Sequence, residues 1–571
     1  MKSFKILSCI TKNTLVVLCF FLASCNNKSK NSVIKTDALV APTSTIISYT
    51  EASKQLSQTE KIGQLFMPAA YINDDKENIL ALEKLISEQN IGALCFFHSR
   101  TSTATNFNGK QQEELNKDDL KNIKKLIARY QKAAKYPLLI AIDAEWGLAM
   151  RVENAPQYPY AITLGAMQNQ SDLVYEVGRN IGKDLTEAGI HWNLAPVVDI
   201  NNNPNNPVIG YRSFGDDKQK VTILGKSYID GLHHSGVLNS LKHFPGHGDT
   251  ATDSHIGLPV IEKTKEVLTN NELYPFQKLI NDGVDAVMIG HLAVPALTKE
   301  KNTPTTLSKV TIKEVLRNEM NFQNAVISDA LNMKSVSKLY TVKGELEWVA
   351  FDAGNDMLCF AENPKEGIAA ILKNATADQI EESFKRIWKL KEKANTPVKT
   401  KPNKFTETAL NQEIAKESLT LYKGNNEDIT AIKESNFMGL AFDKTTENVF
   451  FKSINEQITF KQFSTKNEDL SIIKKTLKSE ENIVIALYPP QIKPRNKFGL
   501  TANEIQLIEE LSATKNVVLY VFGNPYVLNH IDIKNTKAVV IAYQNFEVFQ
   551  ENAAQHFLGK INAKGKLPVS L

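Results

Sequence analysis

Residues 286–329 read AVMIGHLAVPALTKEKNTPTTLSKVTIKEVLRNEMNFQNAVISD. The segment begins and ends with short apolar runs, Ala286–His291 and Ala325–Asp329, which have the length and composition of buried strands. Between them, Ser308–Met320 has the amphipathic pattern of a helix. A strand, a helix and a second strand in this order predict two parallel strands joined by a crossover connection.

The same alternation continues on both sides of this segment. Eight apolar runs lie between residues 50 and 394, and they are Gln64–Ala70, Gly92–Phe97, Leu138–Asp143, Trp192–Asp199, Leu238–His243, Ala286–His291, Ala325–Asp329 and Asp356–Phe360. Amphipathic stretches separate them, so the order predicts an α/β fold with a (β/α)8 barrel of TIM type over residues 50–394. A doubly wound open sheet is the alternative, because alternation alone does not show that a sheet closes.

Polar residues stand at the C-terminal ends of five of these runs. They are Asp143, Asp199, His243, His291 and Asp329. Any one aspartate at such a position could simply cap the next helix. Five polar residues at equivalent ends instead indicate a functional rim, because barrel enzymes carry their catalytic groups at this end of the strands.

The run that ends at His243 leads into a polar, glycine-containing loop. Residues 241–260 read LKHFPGHGDTATDSHIGLPV, with three histidines, two aspartates and three glycines. A surface loop whose histidines have no function is the alternative interpretation of this composition. The position of the loop beside a rim residue favours a functional one.

A second domain is predicted after the barrel. Residues 395–404 are rich in proline and lysine and predict an interdomain linker. Residues 405–571 are predicted to form a smaller α/β sandwich domain, because helical stretches alternate with four apolar runs: Met438–Phe442, Asn482–Tyr488, Val517–Phe522 and Ala538–Tyr543. No cluster of carboxylates and histidines stands out in this part of the sequence.

The first residues have the features of an export signal. Lys2 and Lys5 precede an apolar run, Leu15–Leu22, which is too short to cross a bilayer comfortably. The run ends in Leu22-Ala-Ser-Cys25, which resembles the lipobox of bacterial lipoproteins. In such proteins the cysteine is lipidated and becomes the new N-terminus.

This resemblance predicts a membrane-anchored lipoprotein of the bacterial cell envelope, on the periplasmic face or at the cell surface. Residues 1–24 would be the signal peptide, Cys25 the lipidated residue and residues 25–49 a flexible tether. An ordinary secretory signal with a chance cysteine is the alternative.

Composition narrows the class of protein. The 571 residues are 42% hydrophobic, which allows two or more domains. The formal net charge of +4 includes three lysines of the leader, so the rest of the chain is almost neutral and no nucleic-acid partner is expected.

Cys95 and Cys359 lie in apolar runs, where buried thiols are expected rather than a disulfide. No ligand spacing implies a metal and no cofactor is expected; the oligomeric state stays open.

The polar loop carries a longer pattern, Lys242-His243-Phe-Pro-Gly-His-Gly-Asp249, followed by Asp253-Ser-His255. This pattern resembles the signature of glycoside hydrolase family 3, and within that family the β-N-acetylglucosaminidase (β-N-acetylhexosaminidase) branch. The resemblance extends to further short motifs in both predicted domains, which are Ile142-Asp143-Ala-Glu145, Tyr211-Arg212-Ser-Phe-Gly215, Ile327-Ser328-Asp329, Glu417-Ser-Leu-Thr-Leu-Tyr422 and Gly565-Lys-Leu-Pro568.

The resemblance implies a retaining exo-hydrolase of terminal β-linked N-acetylhexosamine, with peptidoglycan or its fragments as the expected N-acetylglucosamine-containing substrate. Asp329 would be the nucleophile, His255 the general acid/base and Asp253 the partner that orients it. The implied sugar-binding residues are Asp143, Arg151, Arg212, Lys242 and His243. These residue types suit the chemistry, because a carboxylate can attack an anomeric carbon and a histidine can exchange a proton near neutrality.

Two positions depart from the family pattern. Trp146 follows Glu145 where glycine is usual, and Ala330 follows Asp329 where an acidic residue is common. We expect Trp146 to pack beneath its loop rather than to stack on a sugar. Two other functions stay open: a phosphorylase or broader β-glycosidase that uses the same site, and a catalytically inactive, sugar-binding lipoprotein.

Overall fold

The computed structural model describes residues 46–100, 119–251, 257–398 and 401–571. These residues belong to one compact unit that contains two main sheets. The chain is an α/β protein in which a TIM-type barrel is followed by a smaller α/β sandwich, as the sequence predicts. Within these ranges, no helix is both long and apolar enough to cross a membrane.

Parallel strands in eight positions form the barrel. They are β1 (Phe66–Met67), β2 (Ala69–Tyr71), β3 (Ala93–Phe97), β4 (Leu139–Ile142), β5 (Trp192–Asn193), β6 (Leu238–Phe244), β7 (Ala286–Ile289), β8 (Ala325–Ser328) and β9 (Leu358–Cys359). Strands β2 to β8 pair in sequence order, and β1, which shares a position with β2, pairs with β9. Met357, directly before β9, bridges Ile327 of β8, so the strands form a closed ring rather than an open doubly wound sheet.

Two prolines interrupt strands that the apolar runs predict to be longer. Pro68 separates β1 from β2, because proline has no N–H to donate to the ladder. Pro196 likewise interrupts the run Trp192–Asp199, which continues beyond the proline as a single bridge between Val197 and Lys242. Asp199 still reaches the end of the barrel, beside β6.

Helices between the strands confirm the predicted alternation. The longer ones are Lys76–Gln89, Asp119–Ala133, Ser171–Ala188, Lys218–His234, Leu273–Asn281, Val310–Glu319, Glu345–Ala353, Pro364–Asn374 and Ala377–Ala394. Shorter ones are Tyr49–Gln55, Gln58–Gly63, Ala161–Ala166, Lys265–Asn270, Pro295–Thr298 and Lys334–Ser337. Their apolar faces pack with the strands into one core cluster.

Glycines bring two of these helices into close contact. A Cβ atom on Gly178 of helix Ser171–Ala188 would lie 2.2 Å from the carbonyl oxygen of Tyr228. A Cβ atom on Gly231, in helix Lys218–His234, would lie 2.2 Å from the carbonyl oxygen of Tyr175. The two helices precede β5 and β6, so their close packing helps to fix the strands that lead into the polar rim.

The second sheet has six strands in the order β10-β15-β14-β13-β11-β12. They are β10 (Thr420–Lys423), β11 (Met438–Phe442), β12 (Lys461–Ser464), β13 (Asn482–Leu487), β14 (Asn516–Val521) and β15 (Ala538–Ile541). Every pair is parallel except β10 with β15. The edge strands β10 and β12 were not predicted, because their partly exposed residues form no continuous apolar run.

Helices cover both faces of this second sheet and create two apolar clusters. They are Glu407–Ser418, Asn426–Lys433, Val449–Asn455, Leu470–Leu477, Ala502–Thr514 and Glu547–Phe557. The sheet also contacts the barrel. Asn201, two residues after Asp199, donates a hydrogen bond of 2.5 Å from its amide to the hydroxyl of Tyr526, and Gln544 donates one of 2.9 Å to the hydroxyl of Thr163.

Candidate active site

An ion network of alternating sign lies at the C-terminal ends of β4 and β6. The Lys242 ammonium is 2.7 Å from a carboxylate oxygen of Asp143 and 2.7 Å from one of Glu145. Arg151 donates to the other oxygen of Asp143 at 3.0 Å. Arg212 pairs with Glu145 through two hydrogen bonds, of 2.7 and 2.9 Å. Three cations and two carboxylates are thus held in a fixed order.

The cations of this network keep its carboxylates ionised. Burial acts to raise the pKa of Asp143, but the charges of Lys242 and Arg151 outweigh it and hold that pKa well below its usual range. For Glu145, burial is likewise opposed, by the charges of Arg212 and Lys242, and the pKa falls to about 2. The network therefore presents ionised acceptors and charged donors together, the combination that recognises the hydroxyl and amide groups of a sugar.

A carboxylate–histidine pair lies beside the network. Asp199 is 1% exposed, and one of its oxygens is 2.8 Å from Nδ1 of His243. Its other oxygen accepts the backbone N–H of His247 at 2.7 Å. Burial lowers the pKa of His247 to about 4, so His247 is neutral at neutral pH.

Asp329 directly follows β8 and is only partly buried. Its backbone N–H donates to the carbonyl oxygen of Ile289 at 3.0 Å, and its carboxylate accepts the N–H of Ala330 at 2.8 Å. The buried ring of His291 contacts the carbonyl oxygen of Ala330 at 2.9 Å and the hydroxyl of Thr306 at 2.7 Å. The rim residue His291 thus supports the backbone next to Asp329.

The charges of Asp143 and Asp329 act on a common neighbour. A hydrogen bond to Cys95 raises the pKa of the buried Cys359 thiol, burial raises it further, and both carboxylates add to the rise. Cys95 and Cys359 are free, buried thiols, as predicted. Asp143 and Asp329 directly follow β4 and β8, which are parallel strands of the same barrel, so both aspartates lie at the same end of it.

Three predicted functional residues lie outside the described residues. They are Asp253, His255 and Cys25. The described residues that precede the gap at 252–256 are well anchored, because Lys263 binds Asp249 at 2.7 Å and Glu272 at 2.6 Å. The predicted sugar-binding residues come together in the structure, and they are Asp143, Arg151, Arg212, Lys242 and His243.

Two models of family domains together match residues 57–571 of the chain. The model described as Glycosyl hydrolase family 3 N terminal domain matches residues 57–390. The model described as Glycosyl hydrolase family 3 C-terminal domain matches residues 287–571. The chain belongs to glycosyl hydrolase family 3.

Several relatives in sequence are named β-hexosaminidases. Beta-hexosaminidase A of Pseudoalteromonas piscicida is 37% identical over 245 residues, which cover 40% of this chain and 41% of that protein. The Beta-hexosaminidase of Tolumonas auensis is 35% identical over 262 residues, which cover 45% of this chain and 76% of that protein. The similarity to the Pseudoalteromonas protein thus spans less than half of its length.

Solved structures resemble almost the whole described chain. A glycoside hydrolase family 3 β-N-acetylglucosaminidase from Paenibacillus sp. str. FPU-7 has a TM-score of 0.72 and 28% identity, and the match covers 90% of this chain and 99% of that one. A β-glucoside phosphorylase has a TM-score of 0.75 at 22% identity, over 91% of this chain and 96% of that one. The second likeness concerns the fold alone.

Two residues of the family 3 site were not assigned from the sequence. Glu145 belongs to the motif Ile142-Asp143-Ala-Glu145. Its ion pairs, however, are with Lys242 and Arg212, which lie 97 and 67 positions away along the chain. Asp199 was recognised as a rim residue, whereas its contact to His243 was not. In both cases the sequence supplied the position, and only the fold supplies the partner.

Trp146 packs against aromatic neighbours, as expected. Its ring centroid is 5.0 Å from that of Tyr160 in an edge-on arrangement, and Tyr160 is 4.9 Å from Tyr211. The three rings adjoin an apolar cluster that includes residues of the second sheet. Trp146 therefore joins the loop after β4 to the second part of the family 3 fold.

Proposed function

We propose that this family 3 chain is a retaining exo-β-N-acetylglucosaminidase that releases terminal β-linked N-acetylhexosamine. The observation that supports the proposal most is the ion network around Lys242, which gathers four of the five predicted sugar-binding residues on the side of the barrel where Asp329 lies. The fifth, His243, is 3.5 Å from Arg212. The similarity to a solved β-N-acetylglucosaminidase supports the same substrate class.

In the proposed mechanism the bound sugar is held by charged groups and attacked by Asp329. Asp143 accepts hydrogen bonds from sugar hydroxyls, while Lys242 and the two arginines donate. The Asp329 carboxylate attacks the anomeric carbon as the glycosidic bond breaks, which forms a glycosyl ester with inverted configuration. Attack by water on this ester inverts the configuration again, so the product retains the β configuration.

The proton steps are assigned to the loop pair. His255, oriented by Asp253, would protonate the departing glycosidic oxygen and then take a proton from the attacking water. Both residues lie outside the described part of the chain, so this assignment rests on the Asp-x-His pattern alone. A histidine suits both steps because its usual pKa lies near neutrality.

One panel of substrates tests the activity. Nitrophenyl β-N-acetylglucosaminide, β-glucoside and β-xyloside are each assayed with and without inorganic phosphate, for the wild type and for Asp329→Ala. We expect the N-acetylglucosaminide to be cleaved fastest, to give free β-N-acetylglucosamine first by NMR, and to be cleaved at least about a thousandfold more slowly by Asp329→Ala. A sugar phosphate as the main product would instead show phosphorolysis, and no turnover of any glycoside would favour the inactive sugar-binding alternative.

The nucleophile is tested by covalent labelling. A fluorinated N-acetylglucosaminide analogue that slows hydrolysis of the glycosyl ester should label Asp329, located by peptide mass spectrometry. Exposed Asp282 offers a matched control, because Asp282→Ala should leave both labelling and turnover unchanged. A label on Asp143 or Asp199 would overturn the assignment.

We also propose that the enzyme acts on peptidoglycan or its fragments as an exported lipoprotein. The proposal rests on the lipobox-like Leu22-Ala-Ser-Cys25 after a short apolar run. The mass of the mature N-terminus should show a diacylglyceryl cysteine at position 25, and Cys25→Ser should remain an uncleaved precursor without lipid. An identical acylated N-terminus in the variant would contradict the lipoprotein.

A further inference from the structure

Asp199 is a buried carboxylate that the proposed mechanism does not use. It is 1% exposed and follows β5, and within the described part of the chain its hydrogen-bond donors come from the start of the polar loop. One oxygen accepts the backbone N–H groups of His243, at 3.1 Å, and His247, at 2.7 Å. The other oxygen is 2.8 Å from Nδ1 of His243. An ionised carboxylate only accepts hydrogen bonds, so Nδ1 of His243 must carry a hydrogen.

The opposite edge of the His243 ring faces a group that can only donate. Nη2 of Arg212 lies 3.5 Å from Nε2 of His243. A guanidinium has five N–H donors and no acceptor, so the Nε2 atom beside it is favoured as a lone pair. Arg212 cannot easily turn away, because Glu145 holds it through two hydrogen bonds and the carbonyl oxygen of Val208 accepts a third at 3.3 Å.

We propose that Asp199 is a positioning residue that fixes His243 as the neutral Nδ1–H tautomer, so that Nε2 accepts a hydrogen bond from one hydroxyl of the substrate sugar. The inference rests on the proposed function, in which His243 contacts the sugar. The inference specifies the direction of that hydrogen bond, in which the hydroxyl donates and His243 accepts. The enzyme would recognise this hydroxyl by its hydrogen, whereas Lys242 and Arg151 recognise oxygen atoms by donating to them.

An asparagine at position 199 cannot perform this task. Asp199 offers an acceptor oxygen both to the His243 ring and to the N–H of His247. An asparagine side chain offers one oxygen and one NH2 group, so one of the two donors must face another donor. If the NH2 group faces the ring, Nδ1 has to become the acceptor and Nε2 has to carry the hydrogen, toward Arg212. If it faces His247, the loop loses its anchor.

The first experiment reads the tautomer directly, in the ligand-free enzyme. The 15N shifts of His243, assigned with a His243→Gln variant, are measured near pH 8 in the wild type, in Asp199→Asn and in Asp285→Asn. Asp285 is a matched control, since it is 3% exposed and 2.7 Å from the His233 ring but precedes β7, at the opposite end of the barrel.

We expect an Nδ1–H signal for His243 in the wild type and in Asp285→Asn, and its loss or exchange with the Nε2–H form in Asp199→Asn. An Nε2–H tautomer in the wild type would overturn the inference even if Asp199→Asn failed to fold. An unchanged Nδ1–H signal in a folded Asp199→Asn would overturn it as well.

The second experiment asks whether the tautomer selects a hydroxyl. Nitrophenyl β-N-acetylglucosaminides in which one ring hydroxyl at a time is replaced by fluorine are compared in the same three proteins. Fluorine cannot donate a hydrogen bond. Replacement of the hydroxyl that donates to His243 should therefore lower kcat/KM about tenfold in the wild type and in Asp285→Asn. The same replacement should lower it less than about threefold in Asp199→Asn. Equal penalties in all three proteins would overturn the role of Asp199.

The two experiments separate this inference from the function on which it rests. If the wild type cleaved no N-acetylglucosaminide, the proposed function would fail while the tautomer measurement still tested Asp199. The wild type could instead be active without any single fluorine replacement lowering kcat/KM more than the others. His243 would then not accept a hydrogen bond from a sugar hydroxyl, and only the inference would fail.

Discussion

Lys242 and Asp143 form an ion pair of 2.7 Å in which the lysine side chain is 2% exposed. Burial acts to lower the pKa of Lys242, but the charges of Asp143 and Glu145 outweigh it and raise that pKa above its usual value. The two carboxylates thus hold a buried ammonium in its charged form. Lys242 is therefore the centre of the network, since its removal leaves two buried carboxylates facing each other.

We expect Lys242→Gln to lower kcat/KM for nitrophenyl N-acetylglucosaminide by at least about a hundredfold, because two charge-assisted contacts are lost together. Lys226→Gln is the matched control. Lys226 binds Asp230 at 2.8 Å, but both side chains are nearly half exposed, so this pair contributes little. Steady-state kinetics of the two variants, with folding checked by thermal unfolding, make the comparison. Equal kinetics for both would show that the buried network does not bind substrate.

Close helix packing gives a prediction about stability. Gly231→Ala would place a Cβ atom 2.2 Å from the carbonyl oxygen of Tyr175, and backbone on both helices would have to move. We expect the free energy of unfolding to fall by about 2 kcal/mol or more. Gly225→Ala, in the same helix, would meet only side-chain carbons, of Val198 at 3.1 Å and of Leu279 at 3.5 Å, and should cost far less. Urea titration of both variants tests this, and similar losses would contradict the packing argument.

The sequence predicted the barrel well because each buried parallel strand is a continuous apolar run, and because the rim residues follow those runs directly. It failed where the signal is not local. Strands β10 and β12 lie at sheet edges and expose part of their residues. The role of Glu145 depends on Lys242, 97 positions later, and that of Asp199 on the ring of His243, 44 positions later. The roles of Asp253 and His255 stay predictions.

A buried lysine at the other end of the barrel predicts a pH dependence of stability. Lys391 is fully buried, and its ammonium donates to the carbonyl oxygen of Pro137 at 2.8 Å and to the amide oxygen of Gln64. Burial lowers its pKa to about 7. Between this value and the ordinary lysine pKa, the unfolded chain binds a proton that the folded chain does not, so this group favours folding increasingly as the pH rises.

We therefore expect the free energy of unfolding of the wild type to rise, relative to Lys391→Met, by up to about 1.4 kcal/mol per pH unit between pH 7 and 10. Exposed Lys389 lies in the same helix, and Lys389→Met should follow the wild type. Urea unfolding at several pH values measures the three curves. Parallel curves for the wild type and Lys391→Met would show that Lys391 keeps its proton when the chain folds.

The Asp-x-His pattern at Asp253 and His255 leads to a prediction about leaving groups. A general acid matters most when the departing oxygen is strongly basic, because a nitrophenolate leaves without a proton whereas a sugar alkoxide does not. We expect His255→Ala to slow cleavage of an N-acetylglucosaminyl disaccharide at least about a hundredfold more than cleavage of nitrophenyl N-acetylglucosaminide. Asp253→Ala should act in the same direction but more weakly, because it removes only the group that orients the ring.

The comparison needs a histidine variant that leaves the acid in place. His234 ends the helix Lys218–His234 at the other end of the barrel, so His234→Ala should lower both activities little and by the same factor. The ratio of kcat/KM for the two substrates is then the decisive quantity, since a general loss of folded enzyme lowers both values and leaves their ratio unchanged. If His255→Ala kept the wild-type ratio, proton transfer would belong to another group, and a carboxylate on the rim would become the candidate acid.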